Sequence, residues 1–168
     1  PSSMVQAVKT ALENEKVTSK QLASFDGFLQ GESSALADYR VLQAANFSTG
    51  FKGLLNFSES QIGNPVEQFQ FDGKYYSRSA LNYLLGLSFF NQYANLADVK
   101  TVMEIGGGFG TLGEITQKVL LGSKYIDIDI PPTLFASDYY LRQVFGKEQV
   151  TEFDYYVEAD SLDIDSLA

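Results

Sequence analysis

The chain contains no cysteine and no histidine. The first absence excludes disulfides and thiolate metal sites. The second removes the commonest general base and the commonest metal ligand. Long apolar runs are also missing, and none approaches the ~20 residues of a membrane span. The opening, Pro1-Ser2-Ser3-Met4, has neither a basic region nor a long apolar region, so no signal peptide is visible. A cytoplasmic protein without a membrane partner is the expectation. Basic residues are scarce where the acidic ones gather. The net charge is −9, and residues 125–168 hold 2 basic against 10 acidic side chains. Residues 1–124 are nearly balanced, with 10 and 11. An acidic surface repels phosphate backbones, which argues against nucleic acid as a partner.

What is present suits a folded domain. The 168 residues can enclose a sizeable core. Hydrophobic residues make up 45% and aromatics 14%, a globular rather than a disordered composition.

The most informative stretch runs from Val102 to Gly110. An apolar run leads into Glu104, and glycines follow at alternate positions, Gly106, Gly108 and Gly110. Residues 111–121 then have helical spacing. The pattern predicts strand, glycine turn and helix. Glycine is required where the backbone takes φ > 0, or where a ligand approaches without meeting a Cβ. The helix N-terminus beside the turn offers free N–H groups and the positive end of a dipole. A small polar or anionic ligand at the carboxyl end of a strand is therefore expected. A glycine-rich turn that binds nothing is the plainer reading.

The rest of the chain divides at position 73. Residues 1–73 read as a helical N-terminal region. Helices are expected over 4–14, around Leu22 to Leu29 with Gly31 as the stop, and from Ser33 or Ser34 through Ala45. Phe69-Gln70-Phe71 and Lys74-Tyr75-Tyr76 alternate around Asp72-Gly73, which signals a hairpin. Ser77 to Tyr93 carries a strong helical pattern, and its breadth predicts a largely buried helix. From Thr101 onward the order is strand, helix, strand, helix, strand. The later strands are read at Lys124–Ile130 and Phe153–Ala159, with Pro131-Pro132-Thr133 opening the second helix and Gly146 ending it. This alternation predicts an α/β fold with a parallel sheet in residues 74–168. Ligands of such sheets bind at the carboxyl ends of the strands. Glu104, Asp129 and Asp160 are each expected at such an end.

Asp129 lies 21 residues after Gly108. A carboxylate about 20 residues beyond the glycine turn can accept hydrogen bonds from ribose hydroxyls. Asp127 has the same alternation phase and competes for that role. Arg78, near the start of the Ser77 helix, offers a guanidinium fork to the carboxylate of an amino-acid moiety. An ordinary solvated arginine is its other reading. Asp160 with Ser161 is also good turn chemistry.

Glu104-x-Gly106-x-Gly108-x-Gly110 resembles the first motif of class I S-adenosylmethionine-dependent methyltransferases. Gly108-x-Gly110-x-x-Gly113 also matches the dinucleotide-binding pattern literally, although Gly106 and Gly107 then interrupt the strand before it. Asp129-Ile130-Pro131 is similar to the Asp-Leu-Pro signature of small-molecule O-methyltransferases. The runs from Tyr125 to Leu134 and from Ser77 to Leu84 look like the bacterial sugar O-methyltransferases. The likeness covers roughly Tyr75 to Ser161. It implies a Rossmann-like parallel sheet, S-adenosyl-L-methionine as cofactor, and a sugar, glycan or other small-molecule hydroxyl as methyl acceptor. It also implies that Asp160 accepts a hydrogen bond from the adenine amino group. Such sheets have seven strands, and only 58 residues follow Gly110. The resemblance therefore implies a sheet truncated after about three strands, inactive by itself, with an open edge that favours a homodimer. The acceptor pocket of that fold is largely built from later strands, so no residue is nominated as the base. Two other readings stand beside this one. One is an NAD(P)- or flavin-dependent oxidoreductase using the Gly108-x-Gly110-x-x-Gly113 turn. The other is a non-catalytic Rossmann-like interaction module.

Overall fold

The computed structural model describes Thr10 and residues 31–49, 51–148 and 150. Apart from Thr10, which is helical, the first two expected helices and the expected strand at 153–159 lie outside the described residues.

Helix α1 spans Glu32–Thr49. Ala35, Tyr39, Leu42 and Asn46 are buried along it, a stripe with helical spacing. One helical turn, α2, spans Gly53–Asn56 and buries Leu54. Strands β1 (Phe69–Phe71) and β2 (Lys74–Tyr76) then pair antiparallel, with Phe69 opposite Tyr76 and Phe71 opposite Lys74. The two residues between them, Asp72 and Gly73, both have positive φ, at 49° and 77°. That is the conformation a tight hairpin turn with right-handed strand twist requires. Asp72 also accepts a hydrogen bond from the Tyr39 hydroxyl at 2.8 Å, which ties the turn to α1.

Helix α3 spans Arg78–Phe90. The Ser77 side chain caps it by accepting from the Ala80 N–H at 3.0 Å. Its buried face, Ala80, Leu81, Leu84 and Ser88, packs on α1, where Asn46 donates to Ser88 Oγ at 2.7 Å. A 3-10 turn at Leu96–Asp98 leads into β3, Thr101–Ile105. Helix α4 (Thr111–Val119) crosses to β4 (Lys124–Ile128), and the two strands pair in parallel from Thr101 opposite Lys124 to Ile105 opposite Ile128. Helix α5, Pro131–Phe145, begins with its prolines in the first turn and stops at Gly146, whose φ is 92°.

The fold is thus mixed α/β with a two-stranded parallel sheet among the described residues. The hydrophobic cluster draws on both sides of position 73, from Ala35, Leu42 and Phe57 to Tyr76, Leu84 and Ile115. The sheet is covered on one face. Val102 packs against that cluster, while Met103 and Ile105 on the opposite face stay exposed. No helix among the described residues is long and apolar enough to cross a membrane.

Candidate functional site

Strand β3 ends at Ile105, and the chain turns through Gly106 to Gly110 before α4 begins. All three alternate glycines are left-handed, with φ of 78° at Gly106, 61° at Gly108 and 84° at Gly110. An L side chain is strained at such angles, so the sequence pattern has a backbone cause. The pattern also has a steric side. A Cβ on Gly106 or Gly108 would meet no described atom within 4 Å. A Cβ on Gly107 would lie 2.3 Å from Asp127 Oδ1. The turn therefore presses one surface onto the protein and presents bare backbone on the other.

Three carboxylates stand at this end of the sheet. Glu104 and Asp127 are register partners on β3 and β4. Glu104 is held on both oxygens: the Tyr83 hydroxyl donates to one at 2.7 Å, the Tyr125 hydroxyl to the other at 2.6 Å. It joins β3 to α3 and β4, and both phenols respond. Burial, then the bond to Glu104, pushes the Tyr83 hydroxyl up to about 12 and raises Tyr125 well above its ordinary value. Asp127 accepts from Ser137 Oγ of α5 at 2.8 Å. Asp129, one residue beyond β4, reaches the turn itself. Its Oδ2 accepts the Gly108 N–H at 2.9 Å and its Oδ1 accepts the Ile130 N–H at 2.7 Å. A carboxylate has about four lone-pair positions, so Asp129 keeps acceptor capacity for a further donor.

Burial, followed by the neighbouring charges of Glu104 and Asp129, raises the Asp127 pKa. The folded state thus holds this proton more tightly than the unfolded chain. Stability from that difference is present below the ordinary aspartate value and is lost as pH rises through the raised one. Asp127→Asn removes the penalty while keeping an acceptor for Ser137. We expect the variant to melt higher than the parent at pH 7, with the advantage shrinking toward pH 4. A lower melting temperature at pH 7 would refute the assignment.

Arg78 is exposed at the first position of α3, and its side chain runs beside Gly31, within 3.4 Å of where a Cβ there would stand. Asp160 is outside the described residues.

A cleft of about 850 Å³ adjoins the turn. Its walls come from the 59–67 loop, the N-terminal ends of α3 and α4, and α5, and Phe109 and Thr111 carry it to the turn. The group that assembles these walls is Glu114, which is fully buried on α4. It accepts from the Ser60 N–H at 2.7 Å, from the Tyr140 hydroxyl at 2.7 Å and from Lys118 Nζ at 2.6 Å. Glu59, next to Ser60 at the same end of the loop, ties it to the start of α3 by accepting from the Ser77 N–H and hydroxyl. Sequence reasoning overlooked both. Glu114 and Lys118 at i and i+4 look like a solvated ion pair, and only the distant loop and α5 bury the acid. Among the described residues no cluster of side chains has the make-up of a metal site.

Comparison with known protein families, with curated proteins and with solved structures finds no match to this chain.

Proposed function

We propose that the chain is the cofactor-binding part of an S-adenosylmethionine-dependent methyltransferase acting on a hydroxyl of a sugar or another small molecule. One observation carries this reading. Three alternate left-handed glycines follow a parallel strand, and the carboxylate at the end of the next strand is hydrogen-bonded to the middle one. Bare backbone at Gly106 and Gly108 lets a ligand lie against the turn, and Asp129 stands within the same corner with acceptor capacity for a ribose diol. Glu104 acts one step back, fixing the strand end through Tyr83 and Tyr125. On this reading the sheet is Rossmann-like and Asp160 is a further cofactor ligand.

When bound, the cofactor supplies a methyl group on a sulfonium sulfur. Held against the bare backbone at Gly106 and Gly108 and by the Asp129 carboxylate, it would offer that methyl to an acceptor hydroxyl placed in line with the carbon–sulfur bond. Holding the two reactants in that line is the main contribution asked of the protein.

The dinucleotide register is less well supported. It needs the strand to run into Gly108, and β3 stops at Ile105. Calorimetry on the full chain separates the readings. S-adenosylhomocysteine is expected to bind and NAD is not. The reverse would support an oxidoreductase, and binding of neither an interaction module. Gly108→Asn gives the residue-level test. Asparagine tolerates φ near +61°, so the turn survives, but its side chain occupies the open side. We expect at least about a tenfold loss of S-adenosylhomocysteine affinity, a cost of roughly 1.4 kcal/mol, with little change in melting temperature. Unchanged affinity would remove the turn from the site.

A further inference from the structure

The cleft beside the glycine turn has a chemistry of its own. Three large aromatic side chains on its walls are mostly exposed: Phe109 at 75%, Phe135 at 68% and Tyr139 at 60%. Single exposed aromatics are ordinary, but three around one concavity form a surface that wants covering. Rings of this kind pack against the apolar face of a saturated ring. Ile62, Pro65 and Ala136 extend the apolar lining, and polar side chains set among them supply donors. Ser79, Thr111, Tyr139 and Gln143 bring hydroxyl and amide groups. Among the described residues its charges are negative: Glu59 and Glu67 line the cleft and no lysine or arginine does. A volume of about 850 Å³ accommodates one or two pyranose rings.

We propose that this cleft binds the methyl acceptor, and that the acceptor is an uncharged hydroxylated ring, a glycoside bearing neither carboxylate nor phosphate. The term acceptor rests on the methyltransferase reading above; the site and its preference do not. Three considerations select the ligand class. An anion would face two carboxylates with no counter-charge, so acidic sugars and sugar phosphates are repelled. An organic cation would satisfy the acids and the rings, yet it has no acceptors for the hydroxyl and amide donors. A neutral polyol meets both demands, with hydroxyls for the polar groups and C–H faces for the aromatics. The location suits an acceptor. Phe109 lies between Gly108 and Gly110, and Thr111 opens α4, so the cleft and the proposed cofactor surface share a wall.

The test is ligand binding by saturation-transfer NMR and calorimetry on the full chain. The probes are the methyl glycosides of glucose, galactose and mannose, the corresponding 6-phosphates and uronates, and tetramethylammonium. At least one neutral glycoside is expected to bind, and the phosphates and uronates are not. Phe135→Ala and Tyr139→Ala alter exposed positions on α5, so folding is retained, which a thermal melt verifies. Each is expected to weaken glycoside binding about three- to tenfold. The proposal is overturned if no glycoside binds, if a phosphate or uronate binds as well as its neutral counterpart, or if tetramethylammonium binds better than every glycoside. Unchanged glycoside affinity in both variants overturns it too. S-adenosylhomocysteine binding is measured in parallel. If that ligand binds while glycosides do not, the cleft assignment falls and the methyltransferase reading stands. If glycosides bind while that ligand does not, the site stands and its role as an acceptor pocket is lost.

Discussion

Glu114→Ala is expected to lower the free energy of unfolding by about 3 kcal/mol, read from urea denaturation. The carboxylate is wholly out of water and receives three donors. Truncation strands the Ser60 N–H and the Tyr140 hydroxyl, and each orphaned donor costs roughly 1–3 kcal/mol if water does not reach it. Lys118 adds less. It lies at the surface and also donates to the Ser58 carbonyl at 2.9 Å, so it keeps a partner. That places the total at the lower end of the range for breaking a buried pair. Glu114→Gln retains an acceptor and should lose less than half as much. A loss below about 1 kcal/mol for the alanine variant would mean that water replaces the carboxylate, and that the loop does not depend on it.

Gly113→Ala is expected to destabilise by about 2 kcal/mol, although it replaces a poor helix former with the best one. Helix propensity alone favours the change by about 1 kcal/mol. Packing opposes it. The new Cβ would lie 2.6 Å from Tyr125 Cε1 and 3.1 Å from Leu141 Cδ1. Tyr125 does not swing aside freely, because its hydroxyl is bound to Glu104. Overpacking of this kind costs about 1–3 kcal/mol and sometimes more, so it prevails over propensity. The same substitution in a Tyr125→Val background should cost much less, since the closer of the two obstacles is gone and only Leu141 must give. A double-mutant cycle of denaturation midpoints measures that coupling. If alanine at 113 stabilises the parent chain, α4 does not lie as close to β4 as described.

These two residues also mark where the sequence could and could not be read. The order of elements from the hairpin to α5 follows local signals. Asp72-Gly73 writes its own turn, Ser77 its own cap, Pro131 its own helix start, and the glycines at 106, 108 and 110 the left-handed turn. Each of these depends on neighbours a few residues away. Glu104 was identifiable as a strand-end acid, but its clamp was not, since Tyr83 and Tyr125 each lie 21 residues off. Glu114 was missed outright. Its partners Ser60 and Tyr140 are 54 and 26 residues away, and nothing in a helix repeat announces such a burial. Arg78 is legible as a residue at the start of α3, but its contact with Gly31, far back in the chain, is not.

Because Glu114 fastens both the 59–67 loop and α5, whatever the cleft recognises is tied to whether the chain holds together. Mutational tuning of selectivity at that wall will trade against thermal tolerance, and a tight occupant will act as a pharmacological chaperone for weakened variants.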